Sequence, residues 1–167
     1  MNFTASNDRT TKIITIALTA LFVGIIAFEF FTFSDEAKIG AFVSTAILVV
    51  TYGAAYIYHP INYTLTDQDL IIHRPVSDVR YPRDTFELVE RIPKENLKFT
   101  IRTFGVGGLW GYYGKFYNSV YGKMTWYLTR RDQLVLIKTT DKKTILLSPD
   151  DIDSFLTALR SAEPALG

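Results

Sequence analysis

Two long apolar runs open the chain. Between residues 13 and 33 the one charged side chain is Glu29, and between 39 and 58 there is none. Each run has the roughly 20 residues that a helix needs to cross bilayer hydrocarbon. Helix is also the state that bonds every backbone amide internally in lipid. The short connector from Ser34 to Lys38 predicts a tight turn, and hence an antiparallel pair of helices. After His59 the texture changes to short runs with regular polar breaks. Strands are predicted at 61–65, 70–74, 79–81, 86–91, 99–103, 124–129, 134–139 and 144–147. Thr66-Asp67-Gln68-Asp69 and Thr140-Asp141-Lys142-Lys143 read as hairpin turns, and Pro82 splits two strands. Met124, Trp126 and Leu128 alternate with Thr125, Tyr127 and Thr129, which gives one strand two distinct faces.

A final helix is well marked. Ser148 suits an N-cap, Pro149 the first helical position, and Asp150 and Asp151 the positive end of the helix dipole. Ile152, Phe155, Leu156 and Leu159 share one face, which is expected to plug the open end of the sheet. The fold class is therefore α+β, mainly β: a two-helix N-terminal transmembrane hairpin (13–33, 39–58), then a barrel or sandwich of about seven strands capped by an amphipathic helix. The domain spans 60–162, with tails at 1–12 and 163–167. A cleaved signal peptide is disfavoured, because the first run is too long and lacks a small-x-small site.

Charge refines the placement. Arg9 and Lys12 precede the first run, whereas the connector offers Lys38 beside Asp35 and Glu36. This bias puts both termini in the cytoplasm and the connector outside. Asn2-Phe3-Thr4 and Asn62-Tyr63-Thr64 match the glycosylation pattern but would then not be modified. Residues 74–131 carry eleven Lys/Arg against five Asp/Glu, and residues 132–167 four against six, so the domain has a basic front and an acidic tail. The fifteen basic and thirteen acidic residues after His59 do not suit nucleic-acid binding. Glu29 lies near a helix end, where snorkelling or a hairpin hydrogen bond accounts for it and ion handling is the alternative. Gly24, Gly40, Ala41, Ser44, Ala46, Gly53, Ala54 and Ala55 would let the two helices pack closely.

Chemistry finds little support. Without cysteine there is no disulfide, thiolate metal site or cysteine nucleophile. His59 and His73 have no metal-ligand spacing around them. Ser148 has no histidine beside it to activate it. The glycine-rich stretch fails the P-loop pattern, because Gly114-Lys115 precedes Phe116 and the earlier glycine is Leu109. It also fails the dinucleotide fingerprint, where Trp110 holds the last glycine position counted from Gly105. No cofactor, metal or catalytic residue is expected.

Two stretches carry a resemblance. One is Arg102-Thr103-Phe104-Gly105-Val106-Gly107-Gly108-Leu109-Trp110-Gly111-Tyr112-Tyr113-Gly114-Lys115-Phe116. The other is Thr144-Ile145-Leu146-Leu147-Ser148-Pro149-Asp150-Asp151 leading into the helix. With the apolar hairpin before them, they resemble a membrane-anchored branch of the bacterial PH-like domain proteins. The resemblance implies a strongly bent antiparallel sheet closed by the C-terminal helix, and a binding or assembly role without catalysis. The turn at 66–69 is acidic, which argues against the inositol-phosphate recognition of eukaryotic PH domains.

Two readings of the glycine-aromatic stretch remain open. In one, the glycines permit a long mobile or bulged connection and the aromatics fold back on the sheet; in the other, the aromatics form an exposed patch for a partner or the membrane interface. The candidate binding residues are Arg102, Trp110, Tyr112, Tyr113, Lys115, Phe116, Lys123, Arg130 and Arg131. The expected function is a non-catalytic binding or assembly module on the cytoplasmic face of the cell membrane. The alternative is an anionic-lipid or membrane-surface sensor. The expected partners are the lipid bilayer and another membrane or membrane-associated protein, with a homo-oligomer as a further possibility.

Overall fold

The computed structural model describes residues 1–32 and 38–160. Residues 34–37 of the connector and the tail 163–167 lie outside them. Helix α1 spans Arg9–Thr32 and α2 spans Lys38–Tyr58. Both are long and apolar enough to cross a membrane. Asp8 caps α1, its carboxylate accepting the Thr11 amide at 2.7 Å. The helices run antiparallel. The Thr19 and Tyr52 hydroxyls meet at 2.8 Å. Further along α1 the Glu29 carboxylate accepts hydrogen bonds from Ser44 and, at 3.1 Å, Thr45. Of the roles expected of Glu29, the structure shows the hairpin hydrogen bond, which an ionisable group among apolar side chains requires. Gly24, Gly40 and Gly53 have nothing near them. The helices therefore do not approach closely at these glycines; hydroxyl and aromatic groups make the contact.

Ten strands in two sheets are described, more than the seven or so expected. The first sheet holds β1 (Asn2–Thr4), β2 (Asn62–Leu65), β3 (Asp69–His73) and β4 (Val79–Pro82), in that order and all antiparallel. The second holds β5 (Phe86–Ile92), β6 (Ile101–Gly107), β7 (Tyr112–Asn118), β8 (Gly122–Leu128), β9 (Leu134–Thr139) and β10 (Thr144–Leu147). Its order is β5-β9-β10-β8-β7-β6. Helix α3 spans Ile152–Arg160 and buries Ile152, Phe155, Leu156 and Leu159, the face its spacing predicts.

Three departures from the sequence reading matter. First, the stretch read as an N-terminal tail contains β1, which pairs with β2 in the register Asn2↔Thr64, Phe3↔Tyr63 and Thr4↔Asn62. Ser6 then binds Asp150 through its amide and hydroxyl. The chain therefore leaves the sheet, runs through both apolar helices and returns to the same sheet. Second, β10 is inserted between β9 and β8 and lies parallel to β8, so the sheet is not wholly antiparallel. A parallel pair is stable where both faces are covered, and every residue of β10 is buried. Third, Ser148 is not the cap of α3. Asp151 accepts the Ser154 amide at 3.0 Å in that role. Ser148 is fully buried and its hydroxyl accepts the Thr129 amide at 2.9 Å. There it satisfies backbone at the connection that crosses from β8 to β9, which has no ladder partner of its own.

The second sheet has a core on each face. Val135, Ile137, Ile145 and Leu147 point towards the first sheet and α3, where Phe3, Tyr63, Leu70, Ile72 and Phe155 meet them. Leu134, Leu136 and Leu146 point the other way, onto Met124, Trp126, Leu128, Phe116, Ile92 and Leu97. The short 3-10 turn at Lys94–Leu97 helps to close that second core. Phe3 packs edge-on against Phe155 at 4.9 Å between ring centroids. The buried Tyr63 hydroxyl donates to the Tyr127 carbonyl at 2.6 Å and accepts the Ser148 amide at 3.1 Å.

Two outcomes test this arrangement. Phe3→Ala should destabilise the chain by about 3 kcal/mol, read from urea unfolding in detergent by tryptophan fluorescence. A loss below about 0.5 kcal/mol would mean that β1 is not docked. Burial pushes the Tyr63 phenol from 10.0 up to about 12. The folded chain then keeps a proton that the unfolded chain releases. Stability is full below pH 10 and falls from there to about pH 12, the window set by the two values for this group. Tyr81 and Tyr113 are also raised, chiefly by burial, and steepen the same fall. Tyr63→Phe should make the decline shallower in unfolding midpoints measured against pH.

Candidate functional site

The glycine-aromatic stretch is a β-ribbon. β6 and β7 pair antiparallel, with Gly105 opposite Gly114, and the ladder shifts register between Arg102 and Phe104. Both glycines have φ of 119°, a region closed to other residues without strain. A Cβ on Gly114 would lie 2.4 Å from the Phe104 carbonyl oxygen, and one on Gly105 would lie 2.2 Å from that of Tyr113. The paired glycines let the two backbones cross closely.

The ribbon's tip reaches the base of the helices. Thr15 on α1 donates to the Gly108 carbonyl at 3.4 Å and accepts the Trp110 amide at 3.0 Å. Ile14 covers Gly108, where a Cβ would be 2.6 Å from its Cδ1. One turn earlier, Thr11 donates to the Thr129 carbonyl at 3.2 Å. On the other side, the Tyr113 hydroxyl donates to the Ala55 carbonyl in the last turns of α2. The Trp110 ring stands 5.5 Å from Tyr56, 5.7 Å from His59 and 6.1 Å from Tyr52. Its indole N–H is buried without a partner among the described residues, a cost of about 1–3 kcal/mol that the ring packing must offset.

The nine candidate binding residues are thus divided. Trp110 and Tyr113 belong to the junction with the helices. Tyr112 and Phe116 face the second core, where Phe116 stacks on Trp126 at 3.9 Å and 11°. Arg130 is bound to Asp132 at 2.6 and 2.8 Å and to Asp150 at 3.0 Å. The Arg130 hydrogen bond holds the Asp132 carboxyl below its usual range. Burial by itself would raise Asp150, but hydrogen bonds from Ser6 and Arg130 outweigh it and hold that carboxyl low. Arg102, Lys115, Lys123 and Arg131 remain exposed. Lys115 donates to the Thr125 hydroxyl at 2.8 Å, and the Arg131 guanidinium lies 5.4 Å over the Tyr112 ring.

Other residues enter that the sequence reading did not single out. Thr11, Thr15 and Thr19 recur every fourth position on one face of α1, and that polar stripe in an apolar run was the available signal. Phe99, Ile101 and Phe104 are 95%, 64% and 77% exposed. The latter two sit on β6, an edge strand paired on one side only. Among the described residues no three His, Asp or Glu side chains come together as a metal site.

A family model described as bacterial PH domain matches residues 61–163. The match takes in β2 to α3 and leaves out β1, which the N-terminal segment supplies. No curated protein and no solved structure matches the chain.

The ribbon's glycines can be tested against a control. Gly114→Ala should cost about 3 kcal/mol through strain, with the backbone clash added. Gly122→Ala, at φ 69° with open space around it, should cost about 1 kcal/mol. Equal midpoints in urea unfolding would refute the close crossing.

Proposed function

The chain belongs to the bacterial PH domain family, and from that premise we propose a membrane-anchored, non-catalytic module that binds a partner protein at the cytoplasmic face of the cell membrane. One observation carries this reading: where the exposed large apolar side chains lie. Most are on the outer faces of α1 and α2, among them Ile16, Phe30, Phe31, Ile39, Phe42 and Val50. A second group gathers on and beside β6, with Phe99, Ile101, Phe104, Tyr117 and Val120. Elsewhere on the domain Ile61, Val76 and Leu88 stand singly. Contiguous exposed apolar surface marks contact with a membrane or a protein. The helices suit the first. The β6 edge, with unpaired backbone groups, suits a partner that adds a strand.

Both helices root in one pair of sheets, so both termini share a side of any membrane the hairpin crosses. Arg9 and Lys12 favour the cytoplasm for that side. The lipid-sensor alternative keeps Arg102, Lys115 and Lys123 as exposed cations, but its aromatics Trp110, Tyr112, Tyr113 and Phe116 are engaged inside the protein. A protein partner is therefore the favoured reading, and a second copy of the chain is one form it can take.

The cysteine-free chain suits accessibility labelling. Asp35→Cys should react with an impermeant maleimide on intact cells, and Lys142→Cys only after the membrane is opened. The reverse pattern would overturn the cytoplasmic placement. A photocrosslinking residue at Phe104 should join the chain to a protein in membranes, and Ile101→Lys should abolish the adduct. Adducts to lipid alone would overturn the partner reading.

A further inference from the structure

A cavity of about 310 Å³ opens at the foot of α1. Its walls come from parts of the chain far apart in sequence. Asp8 and Thr10 belong to the start of α1, Lys94, Glu95 and Lys98 to the 3-10 turn and its end, Tyr112 to β7, and Arg131 to the connection after β8. Arg131 is held by stacking over the buried Tyr112 ring. Among the described residues Lys94, Lys98 and Arg131 form no ion pair. Neighbouring Arg130, by contrast, is fully engaged by two carboxylates. Of the two acids in the wall, Asp8 is occupied in capping Thr11, and Glu95 is exposed. The lining is left with a net positive charge of one.

The depth of the cavity points to its ligand. Thr10 precedes Ile13, the start of the apolar run, by three residues, or about 4.5 Å of helix. The headgroup layer on each side of the hydrocarbon is about 5–7 Å thick. If α1 crosses the membrane, the cavity stands level with the lipid phosphates. Three cations line it, and Thr10 adds a hydroxyl donor. We propose that the cavity is a binding site for the phosphate of an anionic membrane lipid, held by Lys94, Lys98 and Arg131. The site rests on the membrane-spanning reading of the hairpin, and it is separate from the β6 edge.

The test uses the full chain in phosphatidylcholine vesicles with a minor fraction of dansyl-labelled phosphatidylglycerol or dansyl-labelled phosphatidylcholine. Energy transfer from tryptophan should favour the anionic probe by about fivefold. The triple variant Lys94→Gln, Lys98→Gln, Arg131→Gln should remove the preference. The pair Lys115→Gln, Lys123→Gln should leave it intact. A preference that survives in the triple variant, or that falls equally in the pair, overturns the site in favour of diffuse surface charge. Inorganic phosphate at constant ionic strength should not erase the preference; if it does, the ligand is free phosphate and the lipid assignment fails. Near-UV circular dichroism checks that each variant is folded, and single Lys94→Gln and Arg131→Gln changes replace the triple if it is not. Resistance to carbonate extraction is read on the same vesicles. A chain that is extracted overturns the spanning reading and the site together, whereas one that stays inserted without any preference overturns the site alone.

Discussion

The contact between Thr15 and the tip of the β6–β7 ribbon decides how the two halves of this protein relate. One hydroxyl serves the Gly108 carbonyl and the Trp110 amide, at the point where an apolar helix meets a sheet. Backbone groups at a ribbon tip have no ladder partner, so they need such a side chain when the tip is packed against other elements. Thr11 does the same for the Thr129 carbonyl one turn away, and Tyr113 reaches the Ala55 carbonyl on the second helix. These bonds, together with the rings around Trp110, replace solvent at both helix bases.

Beta-strand β1 makes the coupling mutual. The chain is committed to the first sheet before α1 begins and returns to it after α2 ends. A flexible tether would let the domain turn freely against the helices. Here the entry to α1 and the exit of α2 are each fixed by hydrogen bonds to the sheets, so the direction in which β6 faces is fixed too. A domain held in one orientation loses less freedom when a partner docks. That is the physical consequence of placing these glycines and aromatics at a junction rather than on an exposed surface.

Charge follows the same geometry. Arg130 is neutralised within the fold by Asp132 and Asp150. Its neighbour Arg131 is turned outward with Lys94 and Lys98 at the foot of α1. The basic front read from the sequence is thus split between an internal clasp that ties the N-terminal segment to the start of α3 and a group of free cations beside the helix base.

Local pattern was sufficient wherever a segment's neighbours in sequence set its environment. The apolar runs, the alternation through Met124, Trp126 and Leu128, and the face of α3 all emerge from periodicity, because burial on one face imposes that period. The family resemblance likewise rested on residues 102–116 and 144–151. What periodicity could not reach depends on partners far away along the chain. Three residues of β1 carry no strand signal of their own and become a strand because β2 offers an edge. Ser148 has the local form of a helix cap, yet the Thr129 amide in the crossing connection claims its hydroxyl. The glycines read as a bulged connection because each one alone disfavours a strand. Only their cross-strand pairing, Gly105 against Gly114, turns that liability into a close crossing of two backbones. Local pattern thus sets the elements and the apolar surfaces they must cover, whereas the surface that each one meets is set by contacts between distant segments, which leave no periodic trace.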